Sequence, residues 1–176
     1  MGRRMGMING IIQGTPHWVW LLLGYLVFIG VKARQPGEVS LVKLAIVPVL
    51  LTAWSLHELT RLFDPTPATV GLWLLGAAAG LGLGVALVRR LALTVDRARG
   101  VIRHPGDPTL LPLVLATFLV KYGFAVMQSL APAALRTGWT GTADLLLSGL
   151  FVGIFLGKFA TYALRYRRAG EQVAPG

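Results

Sequence analysis

LWLLGAAAGLGLGVALVRR, residues 72 to 90, is the stretch whose reading decides the fold class. It is apolar over about the length a helix needs to cross a bilayer, and it stops at Arg89 and Arg90. Gly76, Gly80 and Gly84 recur every fourth residue, so they stack on one face of a helix. In a soluble helix each such glycine costs about 1 kcal/mol against alanine. In a membrane the same ladder lets another backbone approach closely, which is where packing energy is gained. The stretch therefore reads as a transmembrane packing helix. A second ladder, Gly149, Gly153 and Gly157, has the same spacing and is also followed by arginines, Arg165, Arg167 and Arg168. The two glycine faces are expected to meet inside one monomer or at a homodimer interface.

Composition agrees with several membrane spans. The chain has 176 residues, 55% hydrophobic and 14% charged, with a mean hydropathy of +0.66. Soluble domains carry roughly 25% charged residues, so this deficit is too large for one. There is no cysteine, which excludes disulfides, thiolate chemistry and cysteine-ligated metals. The net charge of +10 sits mostly on arginines at the ends of apolar runs. Topology explains it, and with no basic patch interleaved with aromatics, nucleic acid is not an expected partner.

Working outward, the expected architecture is an all-α integral membrane protein of five transmembrane helices. The spans fall at about 15–31, 39–60, 68–88, 109–130 and 143–166. Residues 1–168 form one domain and 169–176 a disordered tail. The first span follows Arg3 and Arg4, but it runs on through Trp18, Trp20 and Tyr25 to Lys32 and is read as a retained helix rather than a signal peptide. Lys32 to Gly37 is a polar turn. Ser40 is the expected N-cap of span two, and Pro48 lies inside it, where a bundle tolerates the kink. Between helices 3 and 4, the runs 93–96 and 101–103 predict a short β-hairpin, with Gly100 supplying a positive φ for a bulge. The region 131–141 reads as a loop. Spans two plus three and four plus five resemble a repeated helix pair, over a background in which all apolar helices look alike.

Five spans place the termini on opposite sides. With the N-terminus outside, one side receives Lys32, Arg34, Lys43, Arg89, Arg90, Arg97, Arg99, Arg103, Arg165, Arg167 and Arg168. The other receives Arg3, Arg4, Arg61 and Arg136. The positive-inside rule makes the first side cytoplasmic, together with the hairpin and the C-terminus. Spans three and five then run parallel.

Lys121 is the residue that packing does not explain. An ammonium near the middle of a span costs about 2.5 to 3.5 kcal/mol even on insertion scales. It shares a helix face with Thr117, Ala125 and Gln128. The functional reading is an anion, lipid-headgroup or proton-coupled site. The structural reading is a pair with Glu58 or with backbone carbonyls. Lys158 lies about two turns from a helix end and is expected to snorkel to the interface. His17, His57 and Glu58 fall at the outer ends of their helices, a weak signal for metal or haem. No cofactor is expected from it, and the groups read first as interfacial. Asp144 is placed near the start of span five, where it favours the helix dipole. The acids lie at span ends, in loops and in the tail, so the sequence predicts no paired-carboxylate site. No Walker motif, nucleophile elbow or metalloprotease helix is present, so an enzyme is not expected.

Four segments carry a resemblance: 14–20 (GTPHWVW), 35–40 (QPGEVS), 94–100 (TVDRARG) and 118–122 (FLVKY). With them the chain resembles a family of small, uncharacterised bacterial inner-membrane proteins that is distantly similar to CcdC-like proteins. The resemblance implies a five-helix fold in the inner membrane of a Gram-negative bacterium and carries no catalytic residue. The CcdC label points to cytochrome c maturation, but a chain without cysteine cannot transfer thiols. The expected function is binding, scaffolding or assembly through the glycine faces, with lipids and a cytoplasmic or membrane protein as partners. The alternative is a small oligomeric transporter or channel for an anion or proton that uses Lys121.

Overall fold

The structure, a computed structural model, describes residues 17–89, 91, 94–96, 101–130 and 139–171. Its elements in chain order are α1 (His17–Lys32), β1 (Gly37–Ser40), α2 (Leu41–Leu62), α3 (Pro67–Arg89), β2 (Thr94–Asp96), β3 (Val101–His104), α4 (Leu110–Leu130) and α5 (Trp139–Glu171). The predicted N-terminal residues before His17, the bulge glycine Gly100 and the tail from residue 172 lie outside the described residues.

Among the described residues four helices, not five, are long and apolar enough to cross a membrane: α2, α3, α4 and α5. α1 is a shorter apolar helix, 16 residues from His17. Large apolar side chains face outward along the bundle, including Leu21 and Phe28 on α1, Leu50 on α2, Leu75 on α3 and Leu119 on α4. Apolar exposure on that scale fits hydrocarbon, not water. The chain is thus a multi-pass membrane protein.

Helix ends follow local chemistry. Ser40 caps α2, its hydroxyl accepting from the Lys43 amide at 3.4 Å. Pro48 lies within α2, whose helix continues through it. α3 starts with Pro67 directly after Thr66, and Thr66 and Thr69 exchange hydrogen bonds across the first turn. The far end of α3 is capped from a distance. The Arg165 guanidinium on α5 donates to the carbonyls of Arg89 and Leu91, at 2.7 and 2.5 Å, which satisfies oxygens that the helix end leaves unpaired.

The hairpin is part of a larger element. It lies between α3 and α4, the second and third of the four long helices, and β1 joins it to make a three-stranded antiparallel sheet in the order β1-β3-β2. The sequence predicts a turn that ends at Gly37 and a second span that starts at about Val39. Residues 37–40 are extended instead because they pair with β3: Val39 opposes Ile102 and Glu38 opposes Arg103, with an Arg103 Nε to Glu38 Oε1 ion pair of 2.8 Å. Gly106 has a φ of +103°, and a Cβ there would run into the Arg34 carbonyl. This close approach lets the Asp107 amide donate to the Ala33 carbonyl at 2.7 Å. The sheet therefore ties the α1–α2 turn to the α3–α4 connection at one end of the bundle. Ile102, fully buried, plugs that end against Val88 of α3 and Tyr162 of α5.

α5 is the axis of the fold. Of its apolar window 61% is buried, against 11% for α2 and for α4. It is also longer than expected: Trp139 to Gly141, read as loop, and residues 169–171, read as tail, are helical. At 33 residues it extends roughly 50 Å at 1.5 Å per residue. Its broadest contact is with α3. A Cβ built on Gly76, Gly80 or Gly84 would collide with the carbonyls of Leu146, Leu150 and Ile154 respectively. Reciprocally, Gly149, Gly153 and Gly157 lie against the carbonyls of Trp73, Ala77 and Leu81. Both series rise together by four, so the two helices are parallel and their glycine faces meet inside one chain.

Candidate functional site: two lysines that tie α5 to α4 and the turn before it

α4 meets α5 differently. Lys121, midway along α4, reaches across to α5 and α2. Its ammonium pairs with Glu58 Oε2 of α2, donates to Ser148 Oγ of α5 at 2.7 Å, and lies 3.5 Å from Asp144 Oδ1 of α5. Ser148 donates in turn to Asp144 Oδ1 at 3.3 Å. The other oxygen of Glu58 accepts from Trp54 Nε1, one turn earlier on α2, at 2.9 Å. One ammonium, two carboxylates and a hydroxyl are thus gathered from three helices.

Two expectations change here. Asp144 is not a dipole partner at the first turn of its helix. Because α5 begins at Trp139, Asp144 lies inside the helix and is buried, where an unpaired carboxylate would be costly. The acids that look scattered in sequence also converge, since Glu58 and Asp144 share Lys121. Sequence reasoning missed Asp144. The signal was available in the spacing of Asp144 and Ser148, four apart on one helical face.

Beside this cluster is a cleft of about 30 Å³, lined by Glu58, Lys121, Asp144 and Gln128 and walled by Leu62 and Phe124. That volume holds about one water molecule, whose share of the liquid is about 30 Å³. Leu62 is the last residue of α2, and Gln128 is two residues from the end of α4. The cleft thus runs from the cluster toward the end of the bundle opposite the sheet.

The second lysine is at the sheet end. Lys158 on α5 is 5% exposed and does not snorkel. Its ammonium pairs with Asp107 Oδ2 at 2.6 Å and donates to Thr109 Oγ1 at 2.8 Å. Asp107 Oδ1 also accepts from the Thr109 amide and hydroxyl, at 3.1 and 2.6 Å. Burial alone would raise the Asp107 carboxyl. The Lys158 charge and the hydrogen bonds from Lys158 and Thr109 outweigh it and hold the group below the ordinary carboxylate value. The snorkel fails because the turn before α4 folds over α5 and supplies an acid nearer than the interface.

His17 and His57 are both exposed. Among the described residues no group of three or more His, Asp or Glu side chains is placed to hold a metal ion. The chemistry the structure does assemble is acid–base: an ammonium shared by two carboxylates, in a span, beside a water-sized cleft.

No curated protein and no solved structure matches the chain. Neither comparison links the chain to CcdC-like proteins. A family model does match, over residues 2–176, and so the chain belongs to DUF6622, a family of unknown function.

Proposed function

We propose that this protein is a small membrane transporter or channel for protons whose proton site is the Lys121–Glu58–Asp144 cluster. The observation that carries the reading is the charge count. With all three groups ionised the cluster holds one ammonium and two carboxylates, a net charge of −1 inside the bundle. A surplus negative charge in low dielectric is relieved by taking up a proton. The same count argues against an anion site, because the ammonium is already neutralised. The cleft past Gln128 and Leu62 supplies one-sided access, and Ser148 keeps the Asp144 carboxylate hydrogen-bonded.

Placement in a bacterial inner membrane is supported by the resemblance to small inner-membrane proteins. The orientation is supported by charge. The sheet end carries Lys32, Arg34, Lys43, Arg89, Arg103, Arg165, Arg167 and Arg168, while the opposite end carries Arg61 among the described residues. The positive-inside rule makes the sheet end cytoplasmic, so the cleft faces outward. Binding or assembly through the glycine faces has less support, because those faces are occupied by each other.

Purified protein in liposomes carrying a pH-sensitive dye tests the reading. The wild-type chain should collapse an imposed pH gradient faster than empty liposomes. Glu58→Gln, which keeps size and hydrogen bonding, should slow this at least tenfold while eluting as the wild type on gel filtration. Wild-type vesicles no leakier than empty ones would overturn the proposal. Chloride flux that Lys121→Leu abolishes would replace it with the anion reading.

A further inference from the structure

A second concavity lies at the other end of the molecule and plays no part in the proton reading. It is a groove of about 240 Å³ between α3 and α5 near the sheet. Val85 of α3 with Ala160 and Leu164 of α5 form an apolar floor, and Arg89 and Arg168 stand at its mouth. Arg165 lies at the groove as well, but its guanidinium is committed to the α3 carbonyls. Thr161 turns its hydroxyl back to the Gly157 carbonyl, at 2.8 Å, and so adds no free polar group to the floor. Arg89 and Arg168 are exposed, and among the described residues neither guanidinium is paired with a carboxylate.

We infer that this groove binds one anionic phospholipid, with an acyl chain along Val85, Ala160 and Leu164 and the headgroup phosphate between Arg89 and Arg168. Three observations meet in that occupant. The floor opens outward within two candidate spans, α3 and α5, with Leu164 53% exposed. The cations sit one turn beyond the floor on both helices, Arg89 four residues after Val85 and Arg168 four after Leu164, so an amphiphile lying along the helices meets apolar surface first and charge at the interface. Two unpaired guanidiniums complement a phosphodiester, which accepts in-plane hydrogen bonds from such forks. A zwitterionic headgroup would bring a competing cation into the same place.

Native mass spectrometry of the full chain, released from micelles doped with phosphatidylglycerol or phosphatidylcholine of matched acyl chains, tests this. Wild type should retain one phosphatidylglycerol in preference to phosphatidylcholine. Each arginine is worth about fivefold in affinity near an anionic surface, so Arg89→Gln with Arg168→Gln should weaken retention roughly 30-fold. Arg61→Gln, at the opposite end, should change nothing. Leu164→Asn should weaken retention of both lipids and leave their ratio intact. Equal retention of the two lipids by the wild type, or a double variant that keeps the phosphatidylglycerol preference, would overturn the assignment. The four substituted side chains are exposed, so folding should survive, and an unchanged thermal midpoint checks that. Absence of proton flux with lipid retention intact would sink only the proton-transport reading, and the converse only this one.

Discussion

The two seams along α5 are built on opposite principles. Toward α3, glycine meets carbonyl at six positions and no side chain intervenes. Toward α4 and the turn before it, the ties are made by long polar side chains, Lys121 reaching from α4 and Lys158 reaching to Asp107 and Thr109. Hydrocarbon gives no hydrophobic drive for helix association, so a membrane protein holds its helices by close backbone packing or by polar bridges. This chain uses one method on each side of the same helix. The glycine seam has no adjustable part, because what would be struck is backbone. The lysine seam is made of long stems with several rotatable bonds that end in ionisable groups. The rigid seam positions α5, and the adjustable seam holds the proposed proton site.

The largest expected effect comes from putting a side chain into the rigid seam. Gly80→Val places its Cβ against the Leu150 carbonyl, and neither helix can yield without losing the neighbouring contacts. The cost should be on the order of 4 kcal/mol or more, with little folded protein recovered in mild detergent. Gly82, with no atom within 4 Å of its Cβ position, is the control on the same helix. If Gly80→Val melts like Gly82→Val, the seam is not what holds α3 to α5.

The buried tie of the adjustable seam comes next. Lys158→Met should destabilise by about 3–5 kcal/mol, chiefly by stranding Asp107 without its counter-charge. Adding Asp107→Asn removes the stranded charge while keeping an acceptor for Thr109, so the double variant should regain most of the loss. A double variant no better than the single one would show that Lys158 acts through packing and not through the pair.

The smallest effect is the pH response. Asp107 titrates below its ordinary value of 3.8 in the folded chain. Its contribution is therefore fully present above that value and is lost as pH falls through the lower, folded one. Thermal midpoints in detergent should fall as the pH drops below that ordinary value. In the Lys158→Met, Asp107→Asn double variant this part of the acid loss should disappear. An identical acid limb in both proteins would remove Asp107 from the account.

Much of this was legible in sequence. The apolar lengths and the polar or Pro-containing segments between them placed α2, α3 and α4 within about two residues, because burial in lipid requires an unbroken apolar run. Ser40 was readable as a cap for the same local reason. Other features were not. β1 is four residues long, too short for any period to show, and it is a strand only because β3 lies beside it. Lys158 reads as a snorkelling residue until the α3–α4 connection brings Asp107 within 2.6 Å. Asp144 reads as a helix-start acid until the helix is seen to begin five residues earlier.

The sequence by itself determined that the chain crosses a membrane, where most of its helices begin and end, and which faces carry glycine. These are properties of single segments, set by hydropathy and by backbone hydrogen bonding that each helix satisfies alone. Only the tertiary structure decided that the glycine faces of α3 and α5 meet within one chain, and that Glu58, Lys121 and Asp144, spread over 86 residues, share one cluster. An ammonium inside a span must find its partners in space, and helical spacing fixes partners only along one helix, never across three.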